Sequence, residues 1–206
     1  SRPLFVWGAG MRPYAAEALA LARSLGIPVA TTWGAVDLIH HNDPLAVGGF
    51  GTHGTRAANL AIQNADVIVC IGTRLDTKST GSIVHFGRGS KICMVDVDGA
   101  ELDKFDKLGL HIDIKICGDA GLFIRGFQRR TARKNGKRNG LLRAEQKEEW
   151  SHWKTKTQAW KAENVPQGPA YDLMRRIGEY TTAEDIIVSD TGNTLGWIMQ
   201  GFPFKG

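Results

Sequence analysis

Six short segments carry the residue types that hold a phosphorylated ligand, and most of them close an apolar run: Gly8-Ala9-Gly10, Thr31-Thr32-Trp33-Gly34, Gly48-Gly49-Phe50-Gly51-Thr52-His53-Gly54-Thr55, Gly72-Thr73-Arg74-Leu75-Asp76, Asp96-Val97-Asp98 and Gly118-Asp119. Glycine lets a backbone N–H approach a diphosphate with no Cβ in the way, and a helix N-terminus adds partial positive charge. Arg74 and Lys78 supply full positive charge, the arginine as a two-pronged donor. Asp96 at a strand end can accept from ribose hydroxyls, and Asp119 can do the same for another part of the ligand. The chemistry on offer is nucleotide binding; no residue is assigned a catalytic or metal-ligating role.

Each segment also has a plainer use. Gly8-Ala9-Gly10 lacks the third glycine of a dinucleotide fingerprint, since Pro13 stands there, and serves equally as a tight turn. Asp96 can cap the helix that follows. His53 can bond loop backbone. Cys70, Cys93 and Cys117 are three widely spaced thiols that suit core packing in a reducing compartment. His40-His41 has no third ligand at metal spacing and reads as surface. The signal is the joint placement of these segments, not any one of them.

The elements that must position them alternate. Leu4-Phe5-Val6-Trp7, Ile27-Pro28-Val29-Ala30, Val67-Ile68-Val69-Cys70-Ile71, Ile92-Cys93-Met94-Val95 and residues 111–116 are apolar runs without alternation, the pattern of strands buried on both faces. Between them, Tyr14, Ala18, Leu21 and Leu25 recur as one buried helical stripe ended by Gly26, and Ala57, Leu60, Ala61 and Asn64 mark a second helix. Strands alternating with helices predict an α/β fold: a doubly wound parallel sheet of the FAD/NAD-binding kind over residues 1–125. Residues 126–164 read as a basic linker followed by a docking helix over 145–162, with Trp150, Trp153 and Trp160 near one face. Residues 165–206 begin a second, incomplete α/β unit, with a helix over 171–179 and a strand at 186–188.

Composition removes several function classes. The chain has 206 residues, 42% of them hydrophobic, enough for one full core and part of another. The absence of any apolar run of membrane-spanning length excludes a membrane helix, and no signal peptide is visible, so a cytoplasmic protein is expected. A start without Met and an end soon after the last strand read as a truncated chain. The formal charge of +5 is local: residues 125–143 hold eight Lys/Arg and no acid, and without them 18 basic residues face 21 acidic ones. Those basic residues sit in a Gly/Asn-punctuated stretch with no base-reading partners, which argues against nucleic acid.

The order of Gly51-Thr52-His53-Gly54-Thr55, Ala57-Ala58-Asn59-Leu60-Ala61, Gly72-Thr73-Arg74-Leu75-Asp76, Thr80-Gly81 and Val95-Asp96-Val97-Asp98-Gly99-Ala100-Glu101 resembles that of acetolactate synthase large subunits, enzymes dependent on thiamine diphosphate. The resemblance covers residues 3–127, the central domain, and resumes over 165–206, the opening of the thiamine-diphosphate domain. It implies FAD in the central domain, held by Gly8, Ala9, Gly10, Thr31, Thr32, Trp33, Gly51, Thr52, His53, Gly72, Arg74, Asp76, Lys78, Asp96, Val97, Glu101, Gly118 and Asp119. The family usually carries Arg where Lys78 stands; lysine keeps the charge and loses the fork. Thr191, Gly192, Asn193 and Thr194 match the loop that touches the diphosphate, where the family has Gly-x-Gly-Gln-His, so the chain belongs to a divergent branch.

The implied parent is a 2-oxo-acid decarboxylating carboligase or transferase that uses thiamine diphosphate and Mg²⁺ and works as a homo-oligomer. The activating glutamate and the metal-holding segment of the family fall outside these residues, so the chain alone is expected to be inactive. Two other readings stand beside this one. A non-catalytic adapter would bind nucleotide through 1–125 and a partner through the tryptophan-bearing helix. A sirtuin-like NAD-binding domain, or a flavin electron-transfer protein, would share the fold, although three dispersed cysteines cannot supply the sirtuin zinc site.

Overall fold

The computed structural model describes residues 1–131, 133–134, 137–138 and 144–206. Six parallel strands form one sheet: β1 (Pro3–Trp7), β2 (Val29–Thr31), β3 (Ala46–Gly49), β4 (Val67–Ile71), β5 (Lys91–Asp96) and β6 (Ile114–Cys117), in the order β3-β2-β1-β4-β5-β6. Every pairing within it is parallel, with Phe5 beside both Val29 and Val69. The doubly wound α/β sheet expected from the apolar runs is the architecture found.

Alternate side chains of each strand enter opposite cores. Leu4, Val6, Ile68, Cys70 and Met94 face one, packed by α2 (Arg56–Asn64), α4 (Gly99–Leu108) and Trp153. Phe5, Trp7, Val29, Ile71 and Val95 face the other, packed by α1 (Ala15–Leu25) and α5 (Ala120–Thr131). Both faces are covered, which is why these strands show no alternation. Local chemistry sets the helix ends. Thr55 accepts from the Ala58 amide at 3.2 Å to open α2, Asp98 accepts from Ala100 at 2.9 Å to open α4, and Gly26 closes α1 at φ 73°.

Four expectations need correction. The segment read as loop from Gly48 onward begins with an edge strand, β3; its two glycines have no side chains to advertise a pleated surface. The strand expected at 111–116 starts later, at Ile114. A short 3₁₀ helix, Ala9–Tyr14, holds Pro13 and precedes α1. No strand forms at 186–188: Ile186 and Val188 are 89% and 88% exposed, and no strand among the described residues lies beside them to pair with their backbone.

The helix expected over 145–162 is α6 (Ala144–Glu163), which lies against α2 and β3. Trp153 and Thr157 are buried, and the Trp153 indole donates to the Pro3 carbonyl at 2.9 Å. Two short strands, β7 (Arg133–Lys134) and β8 (Lys137–Arg138), pair antiparallel; much of the basic linker lies outside the described residues. The last segment contributes α7 (Pro169–Glu179) and α8 (Asn193–Gly201), packed on each other. No described helix is long and apolar enough to cross a membrane.

Candidate functional site

The chain leaves β1 toward β2 and β3 on one side, then returns to place β4 against the other side of β1. In such a sheet the crevice opens beyond the carboxyl ends of the strands where the winding reverses. A cleft of about 430 Å³ lies there. It is lined by Gly8, Ala9 and Gly10 after β1, Thr32 and Trp33 after β2, Gly72, Arg74 and Asp76 after β4, Asp96 and Val97 after β5, and Gly118 and Asp119 after β6. Twelve residues singled out along the sequence thus share one cavity.

The glycines do something other than expected. The Gly8 amide donates to Ile71 O and the Gly10 amide to Gly72 O, both at 3.0 Å. A Cβ on Gly8 would lie 2.2 Å from Gly72 O, and one on Gly10 would lie 2.9 Å from Gly72 Cα. These glycines bring the β1 and β4 loops backbone to backbone, with Gly72 at φ 59°. Their two amides therefore point into the fold and not at a phosphate. The 3₁₀ helices that open at Ala9 and Trp33 have no side-chain caps, and of their first-turn amides Gly10, Met11 and Ala35 bond backbone carbonyls of Gly72, Gly8 and Thr32. The Arg74 side chain is 75% exposed and its one ion pair among the described residues is with Glu101, at 3.7 Å.

The three cleft carboxylates have different amounts of work. Asp76 caps α3 (Thr77–Thr80) by accepting from the Ser79 amide at 2.8 Å. Asp119 accepts from the Leu122 amide at 2.9 Å and from the Tyr14 hydroxyl at 2.7 Å. The Tyr14 hydroxyl first, and the Leu122 amide second, hold the Asp119 carboxyl below the usual carboxylate range. Asp96 accepts from the Asp98 amide at 3.0 Å through Oδ1, and no described group bonds its Oδ2. The helix cap after β5 is Asp98, not Asp96.

The remaining candidates lie apart from the cleft wall. Thr31 is buried in β2, and its carbonyl accepts from Phe50. Thr52 binds the Lys78 carbonyl through its amide at 2.8 Å and its hydroxyl at 3.1 Å, and a Cβ on Gly51 would meet that carbonyl at 2.4 Å. Gly51 and Thr52 thus fasten the loop before α2 to α3. The Lys78 side chain is exposed. His53 stacks on Trp33, with centroids 5.9 Å apart and planes 12° from parallel, and is tied to the cleft only through that ring. Glu101 reaches the cleft only through Arg74, and it also bonds Lys104 at 2.5 Å. Thr191, Gly192, Asn193 and Thr194 sit at the start of α8, where Gly192 takes φ 88° and no side chain caps the helix.

Of the wall residues, Tyr14 and Ala120 fall outside the segments singled out in the sequence, and Gly34, Thr73 and Val95 fall inside them without being named as contacts. Tyr14 had been placed on a buried stripe; its hydroxyl, which needs a partner when buried, was the signal that it faces something polar. Two further placements differ. Cys117 is exposed, unlike Cys70, which is buried, and Cys93, whose thiol burial pushes up to about 11. His41 is part-buried, not surface, and bonds Phe204 O through both its amide at 2.9 Å and Nδ1 at 3.0 Å.

Residues 1–127 match the family model described as thiamine pyrophosphate enzyme, central domain. A protein of Methanococcus aeolicus named "Probable acetolactate synthase large subunit" is 31% identical over 98% of this chain and 35% of its own length. "Acetolactate synthase 1, chloroplastic" of Zea mays is 30% identical over 99% of this chain and 31% of its own length. A Methanocaldococcus jannaschii protein, also named "Probable acetolactate synthase large subunit", is 39% identical over 60% of this chain and 21% of its own length. The chain spans about a third or less of the relatives it matches.

Proposed function

The chain belongs to the thiamine pyrophosphate enzymes through their central domain, and from that premise we propose that its cleft holds FAD in an acetolactate synthase-like 2-oxo-acid carboligase. The observation that carries the proposal is the meeting of residues from five strand ends in one cavity at the winding reversal. A cleft of about 430 Å³ is within the usual size of a cofactor site. Its donor set suits a dinucleotide. Arg74 takes the diphosphate, Asp96 Oδ2 accepts from ribose hydroxyls, and Trp33, backed by His53, offers an aromatic face to a ring. The Tyr14–Asp119 pair fixes the wall on the side of α5.

The start of α8 suits the diphosphate of thiamine diphosphate. Gly192 leaves room, since nothing lies within 4 Å of a Cβ built there, and no side chain caps the nine-residue helix that follows. In the complete protein, thiamine diphosphate bound with Mg²⁺ supplies the electron sink for decarboxylation of a 2-oxo acid. The present residues bind and orient; the catalytic steps belong to the whole protein, which we place in the cytoplasm as a homo-oligomer, and these residues alone are proposed to be inactive.

The test is direct. Purified protein should carry a flavin absorbance band, or take up added FAD with a rise in Tm of several degrees, since ligand at a hundredfold its Kd adds about 2.7 kcal/mol. Arg74→Ala should weaken FAD binding about tenfold or more, from the loss of a charge-assisted bond of about 1.5–3 kcal/mol. Protein that neither retains nor takes up flavin would overturn the proposal.

A further inference from the structure

A second cavity, of about 230 Å³, lies on the far side of β3 from the cleft, between the sheet edge, the end of α6 and the segment after α8. Its walls are largely apolar: Val36, Ile39, Val47, Met199, Phe202 and Pro203. Set among them is one ammonium, that of Lys161. Two backbone carbonyls accept from it, Ala46 O at 3.0 Å and His41 O. An ammonium has three donors, so one remains once the described residues have taken two.

No described carboxylate pairs with this charge. Asp43 is the acid near enough to act on it, and Asp43 is bonded to Arg23 at 2.6 Å and to the Leu45 amide at 2.9 Å. The other cation on the wall, Arg175, donates to Pro166 O at 3.0 Å and to Asp172. Burial disfavours the charged form of Lys161, as expected for a cation drawn from water without a counter-ion. A carboxylate delivered to this amine would complete its donors and neutralise it where the dielectric is low.

We propose that this cavity is a binding site for a small aliphatic carboxylate, whose carboxyl group takes the free Lys161 donor and whose hydrocarbon tail lies against Val36, Val47 and Met199. At about 30 Å³ per water, the space holds on the order of seven or eight water molecules, so a ligand of about seven heavy atoms fits. The site is separate from the nucleotide cleft and stands whether or not that cleft holds FAD.

Pentanoate and its uncharged isostere pentanamide are the probes, titrated calorimetrically into the full chain. Pentanoate should bind at least tenfold more tightly than pentanamide. Lys161→Met should abolish that preference and leave the two ligands alike, and Met199→Trp, which fills the cavity, should weaken both. Equal binding of the two probes by the wild type, or an undiminished preference in Lys161→Met, would overturn the proposal. In the wild type, saturating the Met199 methyl resonance should transfer to bound pentanoate, a readout independent of how the variants fold. Absence of that transfer would equally reject the site.

Discussion

Two glycines of the cleft show how one residue type serves different ends. A Cβ at Gly8 would lie 2.2 Å from Gly72 O and 2.5 Å from Thr73 Cβ, whereas nothing lies within 4 Å of a Cβ at Gly118. Gly8→Ala should cost about 2–3 kcal/mol by forcing two loops apart. Gly118→Ala should fall within about 0.5 kcal/mol of wild type. Denaturant midpoints measure both, and equal midpoints would refute the close approach. Asp119 offers a pH test. Its folded pKa is lowered, so its contribution to stability is full above the ordinary carboxylate range and is lost as pH falls through the lowered value. Tyr14→Phe removes the leading cause, so the Asp119 carboxyl should titrate closer to an ordinary aspartate and the acid limb of stability should become shallower. An NMR titration that finds the Asp119 midpoint unmoved would contradict this. At this scale the sequence displayed which residues gather, because residues after strands must meet at one rim. It did not display where the Gly8 and Gly10 amides point. That depends on the β1–β4 register, with Trp7 opposite Ile71, and no residue type encodes it.

Elements were legible in proportion to their apolar patterning. Strands β1, β4 and β5 are dense in apolar side chains and announce themselves, whereas β3 ends in two glycines and does not. The helix α6 was legible from the spacing of its tryptophans, and the structure adds what it holds. Trp153 is 1% exposed, meets Trp160 edge-on with centroids 5.7 Å apart, and ties α6 to the first strand through Pro3. Trp153→Ala should cost about 3–5 kcal/mol, or roughly a 10 °C fall in Tm for a chain of this size. Calorimetry that found a fall of less than about 3 °C would mean α6 is not packed on the sheet as described. The strand expected at 186–188 failed for a reason outside its own residues. Ile186-Ile187-Val188 has the composition of a strand, but pairing is a property of two segments, and no strand among the described residues stands beside it.

For the molecule as a whole, the reversal of winding between β1 and β4 decides where a ligand can sit, and that reversal was implicit in the alternation of strands and helices. The second cavity was not implicit, because Lys161, His41 and Met199 are brought together by the docking of distant segments and share no motif. The bare run at 186–188 has a consequence for handling. Ile186, Ile187 and Val188 form an uncharged, branched stretch in open solvent, bordered by Glu184 and Asp185 on one side and Asp190 on the other. By like-charge repulsion those three acids should act as electrostatic fenders against two copies stacking along this stretch. Fenders of this kind weaken as ions screen them. Light scattering should therefore rise with added sodium chloride, and Ile186→Lys should hold solutions clear at the same ionic strength. A stock that is clear in dilute buffer would turn cloudy in brine, with the fold itself unchanged.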